Sequence, residues 1–234
     1  MRFDIMTLFP ELVEGILKES ILGRAQKSGA IKVVAHNIRD YSEDKHNRVD
    51  DTPYGGGKGM LMMAPPICRC HSDVMEKTKG EIKRRTIYLS PQGQILTQKK
   101  AQELASYDQL VLLCGHYEGV DYRVIEEIVD EEISIGDYVL TGGELPACIL
   151  VDCVARLVDG VLADKECFEK ESHSNGLLEY PQYTRPFEFH GRSVPEVLIS
   201  GHHENIERWR EEKALELTRQ KRPDLLIKKE EKNT

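Results

Sequence analysis

The sequence predicts an α/β domain with a mainly parallel sheet over roughly the first 160 residues. Short apolar runs alternate with stretches of helical periodicity, which is the order typical of strands joined by helical crossovers. The run Leu110–Leu113 is apolar without interruption, as expected for a strand that is buried on both faces. Three predicted strand ends are followed by glycine-bearing loops, and open α/β sheets bind ligands outside the carboxyl ends of their strands. We therefore expect a ligand site at that edge of the sheet.

The individual elements follow from local patterns. Apolar runs predict strands at Phe3–Phe9, Ile31–Ala35, Thr86–Leu89 and Leu110–Leu113. Apolar periodicity and N-capping side chains predict helices after Pro10, from Thr97 to about Ser106, from Asp121 to about Asp130 and from Leu145 to Leu157. Residues 40–59 are loop by composition, residues 161–176 predict a linker, and a helical tail is expected after about Pro195.

The segment Ser134–Pro146 is the most informative one in the chain. Tyr138, Val139 and Leu140 form a β-prone apolar run, which predicts a short strand between glycines. Glycine allows the backbone to approach a ligand closely or to adopt positive φ, and Pro146 suits the first turn of a helix. The amides at a helix start are unpaired donors. The segment therefore predicts a small-molecule pocket built largely from main chain.

Composition narrows the class of protein. The formal net charge of −8 argues against uniform affinity for nucleic acid, although basic groups at Lys77–Lys100 and Arg208–Arg222 suit either phosphate binding or solvated helix faces. The six cysteines are irregularly spaced, and Cys68-Arg69-Cys70-His71 lacks the second ligand pair of a structural zinc site, so we predict free thiols and no metal cluster. No signal peptide or membrane span is indicated, and we expect a cytoplasmic protein.

Two nucleotide-binding motifs are excluded by spacing. Gly55-Gly56-Gly57-Lys58-Gly59 is not a P-loop, because position 52 is Thr and position 59 is not Ser or Thr. No Gly-x-Gly-x-x-Gly follows the first strand. Asp50 and Asp51, just before this run, carry carboxylates that could accept hydrogen bonds from a base edge.

Six blocks occur in one order along the chain. They are Val49–Met60, Tyr88–Gly93, Cys114–Asp121, Ser134–Pro146, Gly176–Pro186 and Ser200–His203. Together they closely resemble the bacterial tRNA (guanine-37-N1)-methyltransferases of the SPOUT superfamily. The resemblance runs from the N-terminus to about residue 225.

The resemblance implies a fold and a cofactor. It implies a SPOUT α/β domain with a deep trefoil knot over residues 1–160, a flexible linker over 161–176, and a small helical tRNA-binding domain over 177–234. It also implies a homodimer with its active sites at the subunit interface and S-adenosylmethionine bent inside the knot. The implied cofactor contacts are Tyr88, Leu89, Ser90, Pro91, Gly115, Tyr117, Gly119, Ile135, Gly136, Asp137, Tyr138, Val139, Leu140, Gly142, Gly143 and Pro146.

The resemblance further implies methyl transfer to N1 of guanosine 37, next to the anticodon of tRNA. Arg156 would stabilise the negative charge that grows on guanine O6, and a linker carboxylate of the partner subunit would remove the N1 proton. Glu118 would contact the guanine or Mg²⁺, and Asp50 and Gly59 would hold the flipped base.

The chain departs from the family pattern at two positions. Glu171 stands where the family commonly has Asp, so it is the predicted base with one methylene more, and Glu169 and Asp164 are the fallbacks. Lys58 stands where a smaller or imino residue is frequent, and its role is open.

Two other functional interpretations stay open. One is a non-catalytic RNA-binding protein that kept the fold, and the other is a SPOUT methyltransferase acting on ribose or on rRNA.

Overall fold

The structure is a computed structural model that describes residues 1–163 and 171–230. The chain divides into two compact units, residues 1–163 and residues 164–234. Each unit is described by itself below.

The first unit is built on a five-stranded parallel sheet. Its strands are β1 (Arg2–Thr7), β2 (Lys32–Asn37), β5 (Arg84–Ile95), β6 (Gln109–Cys114) and β7 (Glu131–Ser134). Their order across the sheet is β2-β1-β6-β5-β7, and every neighbouring pair is parallel. The prediction of a mixed α/β domain with a mainly parallel sheet is confirmed.

Both faces of the sheet are covered, because alternate residues of its central strands pack into two separate hydrophobic cores. Leu110 and Leu112 of β6 point into one apolar cluster, and Val111 and Leu113 point into the other. All six residues of β6 are buried, so its uninterrupted apolar run is explained by cover on both faces.

Helices supply that cover. In chain order they are α1 (Pro10–Leu17), α2 (Ser20–Ser28), α3 (Ala64–Lys77), α4 (Gln98–Leu104), α5 (Tyr122–Ile128) and α6 (Glu144–Ala155). The predicted N-caps are present, since Thr97 accepts a hydrogen bond from the Lys100 amide and Asp121 accepts one from the Arg123 amide. Sequence periodicity did not single out α2 or α3.

One predicted strand is wrong. Tyr138, Val139 and Leu140 form no strand and are exposed at 55%, 82% and 40%. The strand lies upstream, as β7, and the chain leaves the sheet at Gly136, whose φ of 151° only glycine adopts readily. The run Thr86–Leu89 is also only the middle of a longer strand, β5.

The second unit is described from residue 171. It contains a two-stranded hairpin, β8 (Glu188–Phe189) with β9 (Arg192–Ser193), a 3₁₀ turn at Glu196–Ile199, and the helices α7 (His203–Lys221) and α8 (Asp224–Glu230). The Leu178 amide donates to Thr218 Oγ1 of α7 at 2.9 Å, which fastens the chain after residue 171 to this helix. The fallback residues Glu169 and Asp164 lie outside the described residues. Among the described helices, none is long and apolar enough to cross a membrane.

Candidate active site

A cavity of about 320 Å³ opens at the carboxyl ends of β5, β6 and β7. Two of the glycine-bearing loops that the sequence predicted, after β6 and after β7, line it. The third lining segment, Tyr88–Gln92, lies within β5, so the loop predicted after Leu89 is wrong. The lining comes from residues 88–92, 115–120, Tyr122 and Ile125, and 132–146 without Asp137, Glu144 and Leu145. Every predicted cofactor contact is therefore brought to one cavity except Asp137, which is exposed and outside the lining.

Tyr88 is a buried side wall of this cavity. A Cβ on Gly115 would lie 2.7 Å from the Tyr88 hydroxyl oxygen, so glycine is required where the loop after β6 passes the ring. Burial, together with the nearby Glu132 carboxylate, raises the pKa of Tyr88 to about 12. The phenol therefore stays protonated near neutral pH and serves as a fixed polar edge of the cavity.

The loop after β6 carries local backbone strain. Tyr117 has a φ of 58°, in the left-handed region that side chains other than glycine seldom occupy, and Gly119 has a φ of 116°. Such conformations cost free energy and persist where the surrounding structure enforces them. Here the Glu118 amide donates to the Met60 carbonyl, and the Met62 amide donates to the Gly119 carbonyl. The strained loop is thus held by a second loop, residues 50–62.

The segment between β7 and α6 crosses directly over the end of β6. The Gly143 amide donates to the Gly115 carbonyl at 2.8 Å, and Gly142 pairs with His116 in an isolated antiparallel bridge. A Cβ on Gly143 would lie 2.7 Å from Cys114 Cα, and one on Gly93 would collide with the Glu132–Ile133 backbone. These glycines let main chain pack on main chain, as the sequence suggested for this segment.

A buried polar pair anchors the start of α6 to the first strand. Thr7 Oγ1 donates to Glu144 Oε1 at 2.7 Å and accepts from the Phe9 amide at 2.9 Å. Both side chains are buried. The sequence reasoning missed this pair; its one signal is a threonine at the end of an apolar strand.

Two polar atoms of the cavity lining have no hydrogen-bond partner among the described residues. They are His116 Nδ1 and Glu132 Oε2, both buried. Buried polar groups in native proteins are nearly always paired, so an unpaired one calls for an explanation. Both residues line the cavity, so its wall carries two polar groups with an uncompensated atom each. The sequence places His116 just past a buried strand, where side chains can reach a ligand, whereas no sequence signal singles out Glu132.

The residues predicted to handle the acceptor lie partly beside this cavity. Asp50 pairs with Met62 across β3 (Asp50–Asp51) and β4 (Leu61–Met62). Gly59, with a φ of 94°, packs so closely on the Glu118 side chain that a Cβ would lie 2.5 Å from its Cγ. Glu118 lines the cavity, so Gly59 and Glu118 meet at its edge.

Arg156 and Glu171 are not in the cavity lining. Arg156 is the C-terminal cap of α6, whereas the cavity lies at the other end of that helix, about 18 Å away along its axis. Glu171 belongs to the second unit, where its carbonyl accepts from the Ser174 amide in a turn.

The cluster Cys68-Arg69-Cys70-His71 lies on α3. Cys68 and Cys70 are free thiols on α3, and desolvation raises the pKa of Cys70 to about 12. Across residues 1–163 and 171–230, no three His, Cys, Asp or Glu side chains are grouped to hold a metal ion.

Comparison with known proteins identifies relatives over the whole chain. Residues 1–228 match the family described as tRNA (Guanine-1)-methyltransferase TrmD. A tRNA (guanine-N(1)-)-methyltransferase of Ruminiclostridium cellulolyticum is 60% identical over 233 residues, covering 100% of this chain and 99% of the relative. The proteins of the same name from Lachnospira eligens and Alkaliphilus oremlandii are 58% and 54% identical, covering 96% and 97% of this chain and 94% and 92% of their own lengths.

Proposed function

The chain belongs to the tRNA (guanine-1)-methyltransferase family, and we propose that it methylates N1 of guanosine 37 in tRNA with S-adenosylmethionine as donor. The observation that carries the proposal is the cavity at the ends of β5–β7, in a chain that matches the family along its length.

The cavity suits the methyl donor in size and chemistry. Its volume of about 320 Å³ is at the lower end of small-molecule sites. The Glu132 and His116 side chains line the cavity and add polar character suited to a ribose or amino-acid group, and Ile133, Leu140 and Pro146 offer apolar surface to adenine. We assign the predicted cofactor contacts to this cavity, apart from Asp137, and add His116 and Glu132.

When bound, the cofactor supplies an electrophilic methyl group on a sulfonium. The chain must make guanine N1 nucleophilic. The neutral base carries a proton at N1, which Glu171 would accept, and as it leaves, negative charge grows on O6, where the Arg156 guanidinium would stabilise it. Asp50 and Gly59 would position the base, and Glu118 would contact the guanine or an Mg²⁺ ion.

A homodimer would bring Arg156 to a cavity. Leu145, Ile149, Asp152 and Arg156 follow each other at spacings of four, three and four, so they share one exposed face of α6. Leu12 and Ile16 of the neighbouring α1 are exposed at 48% and 42%, and Leu145 and Ile149 at 48% and 43%. We propose that this apolar face of α1 and α6 is the dimer interface and that it carries Arg156 to the cavity of the partner subunit.

Two further features complete the proposal. The trefoil knot is proposed from the family resemblance, and the segment after β7 that would take part in it packs its Gly143 backbone on the end of β6. A C-terminal domain that binds tRNA fits the second unit, with residues 161–176 as linker. A protein that acts on tRNA would work in the cytoplasm.

One assay tests the function. The dimeric protein is incubated with labelled S-adenosylmethionine and either of two transcripts of one tRNA, with guanosine or adenosine at position 37. We expect label only in the guanosine transcript, at N1. Equal label in both, or label on ribose, would reject the assignment of the acceptor atom.

A further inference from the structure

The loop between β3 and β4 has two ends of different character. Its base is fixed by the Asp50–Met62 ladder and by the hydrogen bonds to residues 118 and 119 at the cavity edge. Its tip, residues 54–58, makes no such contacts. Gly55, Gly56 and Gly57 have φ values of 85°, 80° and 132°, and a Cβ on any of them would meet nothing within 4 Å. The tip therefore stands clear of the rest of its unit.

Two large side chains stand on this open tip. Tyr54 is 102% exposed, more than any other large apolar or aromatic side chain of the described residues. Lys58 is exposed, and its ammonium has no hydrogen bond or ion pair within residues 1–163 and 171–230. An unpaired aromatic ring costs solvation free energy with no compensation inside the unit. Neither residue has a structural role that the described contacts reveal.

The neighbourhood of the tip is the mouth of the cavity. Gly59 packs on Glu118, which lines the cavity. Tyr54 also lies close enough to Arg123, at the start of α5, to be among the causes that raise the pKa of that guanidinium. Tyr122, the next residue before Arg123, lines the cavity. A guanosine entering the cavity would bring its neighbouring nucleotides to the tip.

We infer that the tip is a second contact site for tRNA, in which the Tyr54 ring stacks on a base next to the target guanosine and the Lys58 ammonium pairs with a backbone phosphate. An exposed aromatic ring beside an unpaired cation is the arrangement that binds single-stranded RNA, because every base has a π face and every nucleotide a phosphate. The glycines on both sides of Lys58 let the two side chains adjust to the strand. The inference rests on the proposed function.

Equilibrium binding of the unmethylated tRNA transcript tests the two contacts separately from catalysis. We expect Tyr54→Ala to weaken tRNA binding by about 5- to 150-fold, the usual range for one stacked base, while Tyr54→Phe stays within about 2-fold of wild type. Binding of S-adenosylmethionine, measured by calorimetry, should be unchanged in both Tyr54 variants because Tyr54 does not line the cavity.

Salt dependence tests Lys58. The slope of log Kd against log salt concentration should fall by about 0.7–0.9 in Lys58→Met, as for one lost phosphate contact, and Lys58→Arg should keep the slope. Lys32→Met is the matched control, because Lys32 is exposed at the amino end of β2, the opposite edge of the sheet from the cavity.

Three results would overturn the inference. They are wild-type tRNA affinity in Tyr54→Ala, equal salt slopes for Lys58→Met and Lys32→Met, and a change in the oligomeric state of Tyr54→Ala, which would mean that the ring contacts protein. Each leaves the proposed function intact if the wild type methylates guanosine 37. Failure of that methylation would reject the proposed function itself.

Discussion

The proposed site has a donor side and an acceptor side, and the two are built differently. The donor side is the cavity at the ends of β5–β7, where three segments of one unit pack main chain on main chain. The acceptor side consists of Asp50, Gly59, Glu118, Arg156 and Glu171, which are spread over a small strand pair, two loops, a helix end and the second unit. A small cofactor needs a fixed backbone, which the first unit alone supplies. A macromolecular substrate can be met by groups that come together only when partner and tRNA are in place.

The largest expected effect is on the acceptor side, at Glu171. Glu171→Gln keeps the size of the side chain and removes its basicity, so methyl transfer should slow by about 10²–10⁴-fold. Affinity for S-adenosylmethionine should stay at the wild-type value, because Glu171 is outside the cavity lining. Single-turnover kinetics and calorimetry measure the two quantities.

Glu171→Asp is the matched control for this substitution. It restores the shorter carboxylate that the family pattern commonly carries, so it should retain far more activity than Glu171→Gln. Full activity in the Gln variant would show that the base is another group, and Glu169 and Asp164 would be tested next.

Arg156 should give the next largest effect and tests the division between subunits. Removing a cation that stabilises the developing charge costs about 10²–10³-fold in rate, so Arg156→Ala should lose that much activity. Mixed dimers of Arg156→Ala with Gly143→Ala should recover activity, since one of their two sites would hold an intact cavity and an intact Arg156. An equal mixture would then give about a quarter of the wild-type rate, from half of the dimers with half of their sites.

Absence of any recovery in the mixed dimers would contradict the dimer arrangement. It would mean that Arg156 serves the cavity of its own subunit or that α1 and α6 do not form the interface.

Gly143→Ala attacks the donor side. The new methyl group would lie 2.7 Å from Cys114 Cα, a backbone atom that cannot move aside, so we expect a loss of about 1–3 kcal/mol or more in the free energy of unfolding. Because Gly143 lines the cavity, affinity for S-adenosylmethionine should fall with it. Urea unfolding and calorimetry measure both effects.

Gly15→Ala is the control for that substitution. A Cβ on Gly15 would meet nothing within 4 Å in its own subunit, and the residue lies inside α1, so alanine should stabilise the folded monomer by about 0.5–1 kcal/mol. Because Gly15 lies beside Leu12 and Ile16 of the proposed interface, the oligomeric state of the variant is measured as well. Equal changes in the free energy of unfolding for the two variants would show that the close backbone contact at Gly143 does not contribute to stability.

The two sides also differ in how far the sequence predicted them. The donor side could be located because glycine marks main-chain crossings, and Gly115, Gly142 and Gly143 stand at the ends of apolar runs. The strand β7 was not predicted, because Glu131 and Glu132 interrupt the apolar pattern by which strands are recognised in a sequence. Their charges are tolerated at the sheet edge, where Glu131 pairs with Arg85 and Lys100. A strand buried inside a sheet can be predicted from its apolar composition. An edge strand with ion-paired side chains has the polar composition of a loop and cannot.

Contacts between distant residues lay beyond any local pattern. Thr7 and Glu144 are 137 positions apart, and only the fold reveals that they share a buried hydrogen bond. On the acceptor side only Asp50 was indicated by local pattern, as a carboxylate beside a glycine run. Arg156 and Glu171 were predicted by resemblance alone, since no spacing sets them apart from other charged residues.

The smallest expected effect on methyl transfer is at Thr7, whose hydroxyl holds the start of α6 against the end of β1. Thr7→Val keeps the shape of the side chain, but it leaves Glu144 Oε1 and the Phe9 amide without their partner at the buried hydroxyl. Unpaired buried polar groups cost about 1–3 kcal/mol, so the melting temperature should fall by about 2–10 °C. Thr7→Ser should lose less because it keeps the hydroxyl.

The Glu144 carboxylate packs against Gly142, so loss of its hydrogen bond to Thr7 should weaken S-adenosylmethionine binding a few-fold. The methyl-transfer rate at saturating cofactor and tRNA should stay within about 2-fold of wild type, because the acceptor groups are untouched. A fall in that saturated rate as large as the fall in cofactor affinity would contradict the separation of the two sides.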